Sequence, residues 1–154
     1  MIKPIQIELD YNAKMVLDVQ IPSYLAEAEL IRSHDLPPLK DTIYSLQQCD
    51  ETFYGYFDDN TMQLLGAISY KIEDAVLDIH RLIVHPDSFR RGIANALLTH
   101  IQTLATDCTK IIVSTGAANV PAKQLYSKHN FQAIGDIEVA PNLSITSFEK
   151  MIVH

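Results

Sequence analysis

The sequence predicts an α+β domain built around a mixed, mostly antiparallel sheet with flanking helices. Three observations lead there. First, between Thr52 and Val84 the apolar pattern has the two-residue period of strands. Turn clusters at Asp58-Asp59-Asn60 and Glu73-Asp74 divide it into an antiparallel meander. Second, Ile93, Ala94, Leu97, Leu98, Ile101, Leu104 and Ala105 recur at helical spacing, and this helix links the strand ending at Val84 to a short apolar strand at residues 110–115. Strand, helix, strand over that span is a parallel crossover. Third, the chain has 154 residues, 47 % of them hydrophobic and 20 % charged, which suits one domain with a sizeable core and argues against general disorder.

The elements follow in order. Residues 2–9 alternate, with Lys3, Ile5, Ile7 and Leu9 forming the mostly apolar set, and suggest an opening strand. Pro22-Ser23 reads as a helix start, followed by Tyr24, Leu25, Ala28 and Ile31 at helical spacing. Residues 33–40, with Pro37-Pro38, read as a loop. A second helix is expected over about residues 40–48, with Ile43 and Leu46 inward. Residues 53–57, 63–71 and 76–84 are the meander strands, rich in β-branched and aromatic side chains. After the strand at residues 110–115, Asn119 is a candidate N-cap, Pro121 suits a first turn, and a helix should run to about His129, where Asn130 can close it in the left-handed conformation. Residues 132–139 and 143–152 supply two closing strands.

Composition narrows the function. Twelve Lys and Arg face 19 Asp and Glu, a formal net charge of −7, which opposes a nucleic-acid partner and is compatible with a cationic one such as an amine. No apolar run reaches the length of a membrane span, and MIKPIQIELD contains no apolar signal core, so neither membrane nor secretion is expected and a cytoplasmic location is. Cys49 and Cys108 lie far apart with no metal-ligand spacing around them. They read as reduced structural thiols, and no metal site is expected.

Residues 76–98, VLDIHRLIVHPDSFRRGIANALL, carry the chemical signal. A near-continuous apolar strand leads through Pro86 into a helix expected to begin near residues 88–91, with Arg90 and Arg91 in its first turn. Cations there oppose the helix dipole, at a cost of about 0.3–1 kcal/mol each when exposed. A bound anion reverses that balance. Free amides, two guanidinium groups and the small residues Gly92 and Ala94 make a cradle suited to a pyrophosphate. The competing reading is a solvated turn whose arginines pair with Asp87 or another carboxylate.

At these residues the sequence resembles the GNAT superfamily of N-acetyltransferases. Its acetyl-CoA loop, Q/R-x-x-G-x-G/A, follows a strand ending in an apolar-x-Val-x-Pro pattern. Here the strand end is Leu82-Ile83-Val84-His85-Pro86 and the loop is Phe89-Arg90-Arg91-Gly92-Ile93-Ala94, with Phe89 where the family often has Gln or Arg. Residues 119–131, NVPAKQLYSKHNF, resemble the family's later helix, with Asn130 where Gly is usual.

The resemblance implies a parallel strand pair that splays, with the pantetheine arm of acetyl-CoA lying in the gap against the main chain of Leu82, Ile83 and Val84. It implies a pyrophosphate on the amides of Arg91, Gly92, Ile93, Ala94 and Asn95 with charge from Arg90 and Arg91. Asn119 matches an asparagine that contacts the CoA arm, a role that competes with capping. Lys123 could reach phosphate or be a plain surface lysine. Tyr126 matches a tyrosine that protonates the departing thiolate, or else packs between helix and sheet. An amine nucleophile must lose a proton, and Asp78 and His80, two apart on one strand face, are candidate bases, His80 having the better-matched intrinsic pKa of about 6.5. Glu73 reads as a solvated turn residue. No spacing argues for a covalent nucleophile.

The expected protein is therefore one domain over residues 1–154 that moves acetyl from acetyl-CoA, as co-substrate, to a primary amine by direct attack. The acceptor is a small molecule or a protein N-terminus, bound by residues 22–57, and a homodimer is compatible with the sequence. The alternatives are a non-catalytic acyl-CoA-binding module and a structural domain whose arginines only form salt bridges.

Overall fold

The computed structural model describes residues 1–153. Its strands are β1 (Ile2–Ile5), β2 (Thr52–Phe57), β3 (Leu64–Glu73), β4 (Val76–Val84), β5 (Lys110–Gly116), β6 (Gln132–Ala140) and β7 (Leu143–Met151). Its helices are α1 (Asp10–Ile31), α2 (Ile43–Gln48), α3 (Ile93–Thr103) and α4 (Val120–Lys128), with short 3₁₀ turns at Pro37–Lys40 and Pro86–Ser88. One seven-stranded sheet runs β1-β2-β3-β4-β5-β7-β6. Every neighbouring pair is antiparallel except β4 and β5, which are parallel as the crossover through α3 predicts.

Two cores lie on opposite faces of the sheet. α3 covers one with Leu97, Leu98 and Ile101, packed on Ile68, Leu77, Ile79 and Ile111. Each such fully buried side chain contributes roughly 1.5–3 kcal/mol. α1 covers the other with Ala13, Val16 and Val19 against Phe53, Phe57 and Ile83.

A β-bulge decides which β4 residues face which core. Ser69 pairs with Arg81 and Tyr70 with Ile79, so His80 is the extra residue. An extra residue reverses the side-chain alternation beyond it. Ile79 therefore joins the α3 core, whereas Arg81 turns with Ile83 toward α1.

The sequence reading needs three corrections. The opening strand stops at Ile5 rather than running to residue 9. Gln6 then receives hydrogen bonds from the Leu9 amide and the Asn12 side chain, starting a turn. The first helix begins at Asp10, and Pro22 lies inside it. An interior proline removes one helical hydrogen bond and costs about 3 kcal/mol. Here burial of Ala13, Val16, Val19, Ala28 and Ile31 along both halves of the helix outweighs that cost. Third, α3 starts at Ile93, so Arg90 and Arg91 precede the helix instead of occupying its first turn.

The other elements match closely. Thr42 and Ser45 form a reciprocal capping box that starts α2. Asp74 and Ala75, both at positive φ, make the two-residue turn between β3 and β4.

Candidate active site in the β4–β5 cleft

β4 and β5 pair only from Val76 with Lys110 to Ile79 with Val113. Beyond that, β4 stays with β3 and β5 with β7, so their facing edges part. The splayed pair expected from the motif is present. The His85 amide donates to Leu65 in β3. By strand alternation the amides of Leu82 and Val84 therefore point the other way, into the gap. The Val84 amide does so and donates to Ser23 Oγ of α1 at 3.3 Å.

A cleft of about 940 Å³ opens from this gap. Ser23, Tyr24 and Glu27 of α1 form one wall, His80, Leu82 and Val84 of β4 another, and Thr115, Asn119 and Tyr126 a third. Arg90, Gly92, Ile93, Ala94 and Asn95 close one end. Ile83 is buried in the α1 core, so only its main chain can serve the cleft. Asp78, Arg91 and Lys123 do not line it. The Lys123 ammonium donates to the Ala117 carbonyl at 3.1 Å.

Among the described residues, the loop before α3 leaves backbone amides unpaired at a helix start. Gly92 caps the helix with φ 76° and offers no side chain, and Arg90 holds φ 63°. The first helical hydrogen bond runs from the Ala96 amide to the Gly92 carbonyl. Among the described residues, the amides of residues 90–95 make no hydrogen bond and neither Arg90 nor Arg91 forms an ion pair. Asp87 approaches His85 instead. Unsatisfied amides at a helix start beside free guanidinium groups form an anion site.

Tyr126 is 4 % exposed, with its ring against Phe131 and Phe148 at centroid distances of 5.8 and 5.5 Å. Its hydroxyl makes no hydrogen bond among the described residues. Burial, with the Glu27 charge adding, pushes the phenol well above its ordinary value, so it is held protonated. Asn119 does cap α4, accepting from the Ala122 amide at 3.2 Å. Its amide also donates to Glu27 Oε1 at 2.8 Å and to Thr115 Oγ1 at 3.4 Å.

His80 sits between two carboxylates, its Nε2 3.4 Å from Asp78 and its Nδ1 3.6 Å from Glu51. Burial raises the Asp78 pKa, and His80 partly offsets that. Behind His80 lies a buried network. Arg81 donates to Glu51 at 2.8 Å, to Asp41 at 2.5 Å and to Gln20 at 3.1 Å, and Ser69 donates to Glu51 at 2.6 Å. Burial alone would raise both carboxyls, but the hydrogen bonds from Arg81 hold Glu51 and Asp41 below their usual range.

Residues 15–131 match the family described as Acetyltransferase (GNAT) family. The chain belongs to the GNAT family. It is 38 % identical over 136 residues to UPF0157 protein YqkA of Bacillus subtilis, a match covering 88 % of this chain and 39 % of that protein. It is 26 % identical over 95 residues to the N-acetyltransferase 9-like protein of Dictyostelium discoideum, covering 45 % of that protein. The chain thus spans less than half the length of these curated relatives. Among solved structures, the ribosomal-protein-S18-alanine N-acetyltransferase of Escherichia coli has a TM-score of 0.79 at 12 % identity, covering 100 % of this chain and 94 % of the other. The PaiA N-acetyltransferase of Thermoplasma acidophilum, in complex with coenzyme A, has 0.75 at 21 %, covering 98 % of each. At these identities the likeness establishes the GNAT fold.

Sequence reasoning passed over Tyr24, Glu27 and the Arg81 network. A signal existed. Gln20, Tyr24 and Glu27 stand at i, i+4 and i+7, one polar stripe along α1, of which a helix started at Pro22 keeps only Tyr24 and Glu27.

Proposed function

We propose that this protein transfers the acetyl group of acetyl-CoA to a primary amine by direct attack within a ternary complex. The observation that carries the reading is one cleft joining three features. These are the parted β4 and β5 edges, an amide-rich loop with the unpaired Arg90, and a buried protonated tyrosine.

Acetyl-CoA supplies an activated thioester. The residues fit it. The open edge of β4 at Leu82, Ile83 and Val84 can pair an extended chain as an added strand, with Ser23 releasing the Val84 amide. The amides of residues 90–95 and the Arg90 side chain hold the diphosphate, and Arg91, outside the cleft, adds charge at longer range. Lys123 reaches phosphate only by giving up its bond to Ala117. The Asn119 amide is committed to Glu27 and Thr115, so its main work is to place the start of α4.

His80 accepts the proton of the acceptor amine. The carboxylates of Asp78 and Glu51, one near each ring nitrogen, stabilise the imidazolium that results. Tyr126 donates a proton to the departing thiolate, a donor role for which a phenol kept neutral is suited. A cysteine acyl-enzyme has no support here. Neither cysteine lines the cleft, Cys108 is buried, and burial pushes the Cys49 thiol upward.

The test is calorimetric titration with acetyl-CoA, followed by thiol release across an amine panel. Micromolar binding with turnover on at least one primary amine is expected. Tight binding without turnover on any amine would contradict catalysis and leave a binding module.

A further inference from the structure

Two carboxylates line the cleft, Glu27 and Glu29, and of these Glu29 is exposed while Glu27 is half-buried. Farther in, Glu51 and Asp41 share the single Arg81 guanidinium, and Asp78 faces His80. Glu27 appears in no ion pair among the described residues. Its Oε1 receives two neutral donors, Asn119 Nδ2 at 2.8 Å and Thr115 Oγ1 at 3.4 Å, and Oε2 receives none. It is half-buried in the cleft wall. A half-buried carboxylate whose hydrogen-bond partners are neutral attracts a cation entering the cleft.

The surroundings suit a cation. Tyr24 from α1 and Tyr126 from α4 both line the cleft, and both feel the Glu27 charge. Aromatic rings and a carboxylate lining one cleft suit an ammonium group. The bonds to Asn119 and Thr115 also fix Glu27 at the parted end of β5 and the start of α4, the helix that carries Tyr126. Glu27 thereby ties the α1 wall to the wall that carries the proposed acid.

We propose that Glu27 binds the ammonium group of the acceptor and so sets the preference for a cationic amine. The inference rests on the acetyl-transfer reading and deepens it. Glu27 binds and orients, and proton acceptance stays with His80.

The test uses the full chain with acetyl-CoA and four acceptors: n-butylamine, spermidine, a tripeptide with a free N-terminus, and aniline as the neutral control. The parent should favour the cationic acceptors. Glu27→Gln keeps an oxygen for Asn119 and Thr115 and removes only the charge. It should raise KM for cationic amines about 10- to 100-fold, the loss of a charged hydrogen bond. kcat should change less than about twofold, and acetyl-CoA affinity and melting temperature should hold. An unchanged KM would overturn the assignment, as would a parent that acetylates aniline as well as butylamine, a comparison needing no variant. Weakened acetyl-CoA binding in Glu27→Gln would mark a structural clamp and also overturn it. A parent that fails to bind acetyl-CoA overturns both readings, whereas turnover indifferent to the Glu27 charge overturns this one alone.

Discussion

Replacing Tyr126 with Phe separates chemistry from folding more cleanly than any other substitution in this chain. The ring is fully packed against Phe131 and Phe148, and Phe keeps that packing. The hydroxyl has no hydrogen-bond partner among the described residues, so its removal leaves no buried group unsatisfied. The folding cost should therefore stay within about 0.5 kcal/mol. That is a melting shift of about 2 °C or less for a chain of this size. Loss of a positioned general acid, by contrast, should lower kcat about 10²- to 10⁴-fold. At 1.36 kcal/mol per tenfold, this corresponds to about 2.7–5.4 kcal/mol of barrier. Because the hydroxyl acts on the departing thiolate, acetyl-CoA affinity should be unchanged. Thermal unfolding, calorimetry with acetyl-CoA and steady-state thiol release measure the three quantities. A kcat within twofold of the parent would remove Tyr126 from the mechanism. Tyr24→Phe, altering the neighbouring phenol on α1, is the control, and a large kcat loss there instead would place the acid on α1.

Other perturbations give equally definite outcomes. Arg81→Met strands Glu51 and Asp41, whose side chains are 6 % and 16 % exposed, and should cost about 3–5 kcal/mol. In thermal unfolding that is a drop of about 6–20 °C. Both carboxyls are held below their unfolded values of 4.5 and 3.8, so the network's contribution is present above those values and lost as pH falls below them. The difference between parent and variant should narrow in acid. Arg90→Ala combined with Arg91→Ala should weaken acetyl-CoA binding at least tenfold at low salt and flatten its salt dependence, as calorimetry at two ionic strengths would show. Burial, with repulsion from Lys150 and Lys128, pushes His129 below 6.5, where it accepts from Gln102 and bonds Asn95. Its contribution is complete above 6.5 and declines as pH falls, so the melting temperature should fall between pH 7 and 5.5, and fall less in His129→Gln.

The parts of the fold legible in the sequence were those where local pattern and tertiary role agree. α3 announces itself because its buried face follows helical spacing throughout. The β2–β4 meander does so because each strand is bounded by turn residues. The crossover from β4 to β5 followed from the order of elements alone. The first half of α1 was not legible. A proline normally marks a helix boundary, and only packing across the whole face of the sheet lets Pro22 sit inside one. That misreading cut Gln20 from the polar face it shares with Tyr24 and Glu27, which lie within the expected helix but whose place in the cleft only the packing of α1 on the sheet reveals. The bulge at His80 was also invisible. No local residue preference marks it, yet it sends Arg81 toward α1 and fixes the carboxylates around His80. The loop carrying Arg90 and Arg91 was placed one turn too far into α3. Gly92 at positive φ ends the approach to the helix, so the arginines flank its start instead of lying on it.

The central claim is that the open β4 edge and the loop at residues 90–95 together receive acetyl-CoA. Backbone amide chemical shifts recorded by ¹H–¹⁵N NMR during an acetyl-CoA titration address it residue by residue. The account predicts that the amides of Leu82, Val84 and residues 90–95 move together and saturate, with Val84 shifting as it leaves Ser23. Saturating shifts confined to another face of the sheet, with these amides still, would contradict it.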